Sequence, residues 1–93
     1  MEAFSLSVQL VNGHRIVHLA GELDLATAPV LEAALHDVDG HHVVFDCGEL
    51  QFIDSSGVAL VARAQRNGGA TIRNPQPNVR RVLEVMDMDH LCE

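Results

Sequence analysis

The residues with the most chemistry to offer are Asp54-Ser55-Ser56-Gly57. A carboxylate and two hydroxyls stand between an apolar stretch, Val43-Val44-Phe45, and a helix-like run from Val58 to Arg66. Asp and Ser are favoured at a helix N-cap, because their side-chain oxygens accept hydrogen bonds from the first free N–H groups. The same N–H groups, with the helix dipole, favour an anion. Three uses therefore fit the stretch: a helix cap, a phosphate-accepting switch, or the seat of a serine nucleophile. Taken alone, the cap is the commonest use, since such turns recur in every fold. A nucleophile needs a base in reach, an orienting partner, an oxyanion hole and a pocket. Ser55 lacks a Gly-x-Ser-x-Gly elbow, and three phenylalanines in 93 residues offer little cavity. No catalytic residue and no enzyme activity are expected.

The other reactive side chains point to less. Of the six histidines, His14 and His18 share one face of a strand. At ~3.3 Å per residue they stand roughly 13 Å apart, too far to share a zinc ion. His41 and His42 point to opposite faces if extended. Neither a metal site nor a cofactor is expected. Cys47 and Cys92 are too few for a disulfide framework and too far apart for a metal hook. They read as free thiols, Cys47 at the end of a buried strand and Cys92 on the tail. Met86 and Met88 read as core and tail.

The elements that must position Asp54 and Ser55 follow from periodicity. Phe4, Leu6, Val8 and Leu10 alternate with Ser5, Ser7 and Gln9, a strand with one buried face. Asn12-Gly13 predicts a tight hairpin turn, because both residues tolerate positive φ. The return strand runs roughly from His14 to Ala20, with chain reversal at Gly21. Thr27 then reads as an N-cap and Pro29 fits the first helical turn. Val30, Leu31, Ala34, Leu35 and Val38 form the apolar stripe of that helix, which Gly40 ends. Val43-Val44-Phe45 is apolar on both faces, the pattern of a central strand covered by helices. Glu49, Leu50 and Gln51 read as a short connection to the Asp54 turn. The second helix buries Val58, Val61, Leu60 and Ala64, exposes Arg63 and Arg66, and stops at Asn67-Gly68-Gly69. Ala70 to Arg73 is a short strand, and Asn74-Pro75-Gln76-Pro77 a turn. Val79, Val82, Leu83 and Met86 follow helical spacing. The order β-β-α-β-α-β-α predicts an α/β fold. It has a mixed sheet of about four strands with about three helices packed on one face, or unequally on two.

Ninety-three residues, 47% of them apolar, fit one domain spanning residues 1–93 with a modest core. A net charge of -7 argues against direct nucleic-acid binding, which needs a basic face. It suits a partner with basic patches. No signal-like start and no apolar run near the ~20 residues of a membrane helix are present, so a cytoplasmic protein without membrane insertion is expected. A monomer or weak dimer is expected, a sheet edge left exposed by the short C-terminus being the route to self-association.

Two separate segments carry a resemblance. Gly21-Glu22-Leu23-Asp24 ends the second strand, and Phe52-Ile53-Asp54-Ser55-Ser56-Gly57 follows the third, about thirty residues later. Together they resemble the STAS domain, and most of all the bacterial anti-anti-sigma factors (anti-sigma factor antagonists). The Gly68-Gly69 break and the Val82-Leu83, Met86, Leu91 ending are similar too, so the likeness covers nearly the whole chain. Two departures are visible. Val58-Ala59 stands where Leu-Gly is more usual, and the family often continues with a further strand and helix beyond the third helix, of which Leu91 onward would be a remnant.

The resemblance implies partner switching. The unphosphorylated protein binds an anti-sigma factor serine kinase and sigma factor is released. The kinase phosphorylates the serine directly after the motif aspartate, here Ser55, and a PP2C-type phosphatase resets it. The partner-binding residues implied here are Asp24, Asp54, Ser55, Ser56 and Gly57, with Arg63 added from the exposed side of the second helix. A second reading is an accessory subunit of a lipid ABC transporter, or of a multi-protein sensor complex. Such proteins often carry Thr, or no hydroxyl, at the switch position, so the intact Asp54-Ser55-Ser56-Gly57 favours the sigma-factor reading.

Overall fold

A computed structural model describes residues 3–93. The elements are β1 (Ser5–Val11), β2 (His14–Leu23), α1 (Ala28–His36), β3 (Val43–Ile53), α2 (Ser55–Asn67), β4 (Ala70–Arg73) and α3 (Pro77–Val85), followed by a 3₁₀ turn at Asp89–Leu91. The strands form one mixed sheet in the order β1-β2-β3-β4, antiparallel between β1 and β2 and parallel thereafter. This is the α/β architecture that the alternation of strand and helix patterns predicts.

The hairpin forms at Asn12 and Gly13, both with positive φ (50° and 82°), and pairs Val11 with His14. One hydrophobic cluster then unites the sheet with every helix. It holds Val17, Leu19 and Leu23 from β2, Val43, Phe45, Leu50 and Ile53 from β3, and Ala70 and Ile72 from β4. Leu31 of α1, Val58, Val61 and Ala64 of α2, and Val79 and Leu83 of α3 close over them. All three helices therefore lie on one face. Ile16 and Val44 are buried but stand outside this cluster, on the opposite face. The doubly apolar run in β3 does not reflect helices on both sides; Val44 is covered by its neighbours Ile16 and Thr71 within the sheet.

Four local expectations are corrected. The chain does not reverse at Gly21: β2 continues through it to Leu23. Gly21 has φ +89°, and a Cβ there would lie 2.6 Å from the Ala3 carbonyl oxygen, so only glycine fits this irregularity in the strand. Glu49, Leu50 and Gln51 are strand rather than connection. Opposite β2, the β3 register shifts twice, between His18 and Ala20 and between Gly21 and Glu22. Each shift adds a residue to β3 and breaks the period-two pattern that marks a strand. Cys47 accordingly lies within β3, not at its end. Val30 and Met86 are exposed, at the margins of their helical stripes, whereas Met88 packs on the core. At the C-terminal end Leu91 is buried, Cys92 bridges to Ile72 in parallel and the Glu93 N–H donates to the Ile72 carbonyl at 2.9 Å, so these residues begin a lane beside β4.

Candidate functional site

Leu23 and Ile53 end β2 and β3 side by side in parallel register. The next residues, Asp24 and Asp54, therefore leave the sheet from adjacent lanes, which lie ~4.8 Å apart. The Asp54 N–H donates to the Leu23 carbonyl at 3.1 Å and ties the two exits together. This is why two short motifs so distant in sequence meet at one end of the sheet.

The cap of α2 is Asp54. Its backbone is extended (φ -115°, ψ -173°), and its Oδ1 accepts from the Ser56 N–H at 2.9 Å and the Gly57 N–H at 3.3 Å. Its carbonyl accepts the first helical bond from Val58 at 3.0 Å. The carboxylate thus takes the two leading free amides, so the helix starts at Ser55 and neither serine is needed as its cap. Ser55 becomes the first residue of α2 and is exposed; Ser56 beside it is half-buried. Gly57 is buried, and a Cβ on it would lie 2.7 Å from Leu23 Cγ and 2.8 Å from Ile53 Cγ1. Its contribution is to let the first turn of α2 seat on the ends of β2 and β3.

On the β2 side, Asp24 Oδ1 accepts from the Ala26 and Thr27 N–H groups at 3.0 and 3.1 Å. The Thr27 hydroxyl accepts from the Asp24 N–H at 2.9 Å and donates to the Glu22 carbonyl at 2.9 Å. Thr27 is the residue before α1, yet its side chain makes no capping bond into the helix. It knots the preceding loop instead, together with Asp24, and so holds the exit from β2 in place.

Arg63 lies eight residues past Ser55 along α2, roughly 12 Å at 1.5 Å per residue. It therefore stands well along the helix from Ser55. Its guanidinium instead donates to Glu32 of α1 at 2.9 Å. Two exposed apolar residues stand near the ends of the strands that lead to this site. Leu25 follows Asp24 and is 75% exposed, and Phe52 precedes Ile53 and is 44% exposed. Their signal was present: a lone leucine in a polar loop, and an aromatic out of phase with its buried neighbour Ile53.

The remaining candidates stand apart from this end of the sheet. His18, on the open face of the sheet, contacts Gln9 Oε1 at 2.7 Å and Asp46 Oδ2 at 3.4 Å. His42 contacts the Thr71 hydroxyl at 2.9 Å. Among the described residues no three His, Cys, Asp or Glu side chains are arranged to hold a metal. Burial, and then the Asp46 carboxylate, push the Cys47 thiol up to about 12, so it is a neutral core group at physiological pH. Burial also raises the Cys92 thiol, against the lowering effect of Arg80.

No curated protein sequence matches the chain. Among solved structures, the anti-sigma factor antagonist SpoIIAA in its unphosphorylated form is 26% identical with a TM-score of 0.82, over 98% of this chain and 86% of that one. The phosphorylated form of the Bacillus cell fate determinant SpoIIAA is 25% identical with a TM-score of 0.65, over 98% and 89%. An anti-sigma factor antagonist from Mycobacterium paratuberculosis is 25% identical with a TM-score of 0.85, over 95% and 81%. A family model described as "Mlab, STAS domain" matches residues 6–93. With the two motif aspartates brought to one end of a four-stranded mixed sheet and the family match running through both, the chain belongs to the STAS domain family.

Proposed function

We propose that this protein is an anti-sigma factor antagonist that works by partner switching and is not itself an enzyme. In the unphosphorylated state the surface around Ser55 binds an anti-sigma factor serine kinase, and phosphorylation of Ser55 ends that binding. A PP2C-type phosphatase restores it. The observation that carries this reading is the division of labour at the start of α2. Asp54 does the capping, so Ser55 presents an exposed hydroxyl with no structural task.

The electrostatics support a switch without refolding. A phosphate on Ser55 adds close to two negative charges. The helix N-terminus tolerates them, but the Ser56 and Gly57 amides are already held by Asp54. At ~5 Å and an effective dielectric near 20, each pair of like unit charges costs on the order of 3 kcal/mol before salt screening. Asp54 is adjacent and Asp24 leaves the neighbouring lane. A partner carboxylate facing the serine would add another such cost, and a few kcal/mol is ~100-fold in affinity. Leu25 and Phe52, exposed near the ends of β2 and β3, offer a partner apolar contact.

The test is the intact mass of the protein isolated from its own cells, with any added phosphate placed by peptide fragmentation. Phosphate on Ser55 is expected. Phosphate on Ser56 alone would overturn the residue assignment. No phosphate in any growth condition, with a membrane complex co-purifying, would replace this reading by the transporter-subunit one.

A further inference from the structure

We infer that two copies of this chain pair through their β1 strands, antiparallel about Val8, into one continuous eight-stranded sheet. β1 is an edge: it pairs with β2 and has no neighbour on its other side among the described residues. Native edges are usually protected by charge, proline or a bulge. β1 reads Ser-Leu-Ser-Val-Gln-Leu-Val, with no charged residue and no proline, and its pairing with β2 is regular along all seven positions.

The backbone groups on the open side can be assigned. The two-residue turn closes on the pair Val11 and His14, which is a hydrogen-bonded pair. Such pairs alternate along an antiparallel ladder. Val11, Gln9, Ser7 and Ser5 therefore turn their N–H and C=O groups toward β2. Leu6, Val8 and Leu10 turn theirs outward, unpaired.

Those three residues are all apolar, and their spacing is symmetric about Val8; the fourth apolar residue of β1, Val11, bonds to β2 and lies outside this symmetric set. A twofold axis there sets Val8 opposite the Val8 of the second copy, and Leu6 opposite Leu10 in both directions. Each pairing joins outward-facing groups on both strands, so every free N–H and C=O of the central segment is satisfied. The interface is self-complementary, as a twofold contact must be. Its side chains fall on the helix-covered face. There Val8 and Leu10 are 43% and 66% exposed, and Leu6 is half-buried against the core. Ser7 and Gln9 remain on the polar open face. A second copy is thus the occupant that this edge fits best. Its sequence offers no charge to recognise a partner of opposite sign, whereas its symmetry matches itself.

A single strand pair is a small interface, so the association is weak and concentration-dependent. Each copy carries a net charge of -7 while the edge carries none. Long-range repulsion therefore opposes pairing, and added salt strengthens it.

The test is sedimentation equilibrium of the 93-residue protein at rising concentration, paired with amide hydrogen exchange. A rising average mass is expected, with the Leu6, Val8 and Leu10 amides gaining protection as the dimer fills. The Ser7 and Gln9 amides, already bonded to β2, are protected throughout. Val8→Lys places two like charges opposite each other and weakens the dimer about tenfold or more. Leu10→Lys, at a more exposed position, checks that the effect is not loss of fold. A protein that stays monomeric at millimolar concentration and high salt would overturn the inference. So would a dimer that both variants leave unchanged, or protection that appears on another element instead.

Discussion

Ser55 and Asp54 are neighbours with opposite duties, and single substitutions separate them. Asp54→Ala removes a cap that holds two amides and is expected to cost about 1 kcal/mol in urea unfolding, whereas Asp54→Asn keeps most of it. Ser55→Ala removes an exposed hydroxyl with no capping bond and is expected to stay within about 0.5 kcal/mol. A cost near that of Asp54→Ala would make Ser55 part of the cap and weaken its case as a switch. Cys47 gives a different readout. Its thiol is raised from 9.0 to about 12, so above pH 9 the unfolded chain gives up a proton that the folded chain keeps. The folded state then binds more protons, and stability falls as pH rises from about 9 toward 12. Thermal melts of Cys47→Ala and wild type across that range should show the wild type losing stability more steeply. In the native protein a thiol reagent should label Cys92, which is half-buried, well before Cys47.

At the scale of elements, the start of α2 depends on how closely it sits on the ends of β2 and β3. Gly57→Ala drives a methyl within 3 Å of Leu23 and Ile53, and is expected to cost roughly 1–3 kcal/mol by overpacking. Arg63 and Glu32 join α2 to α1 by a pair exposed on both sides. Arg63→Ala is therefore expected to cost no more than about 1 kcal/mol, and less at high salt. A larger loss on urea unfolding would mean that the bridge sets the helix positions.

At the scale of the whole molecule, the strand order separates two surfaces. Ser55 follows β3, an interior strand, whereas the free β1 edge lies two lanes away. Pairing through β1 therefore leaves both Ser55 hydroxyls exposed. Ser55→Asp is expected to dimerise with the same constant as wild type in sedimentation equilibrium, while abolishing capture of the kinase partner. If dimerisation instead changed with Ser55→Asp, the two surfaces would be coupled and the edge-to-edge arrangement would need revision.

The amino-acid sequence by itself determined what depends on local chemistry. Asn12-Gly13 can close a tight turn because both tolerate positive φ, and the alternation of Phe4 to Leu10 marks a strand wherever it lies. The apolar spacing of α2 and the Asp54 motif were legible for the same reason, since periodicity and motif are short-range properties. Tertiary structure decided what depends on neighbours. The full lengths of β2 and β3 were hidden because irregularities near Gly21 and along β3 interrupt the period of two, and only pairing across the sheet restores them. The exposure of Val30 and Met86 depends on what packs over the margin of each helix. Which residue caps α2 was ambiguous among Asp54, Ser55 and Ser56 until the strand end fixed the extended backbone of Asp54 and turned its carboxylate onto the Ser56 and Gly57 amides. Likewise, the sequence placed Asp24 and Asp54 at the ends of two strands, but only parallel pairing of Leu23 with Ile53 set them side by side.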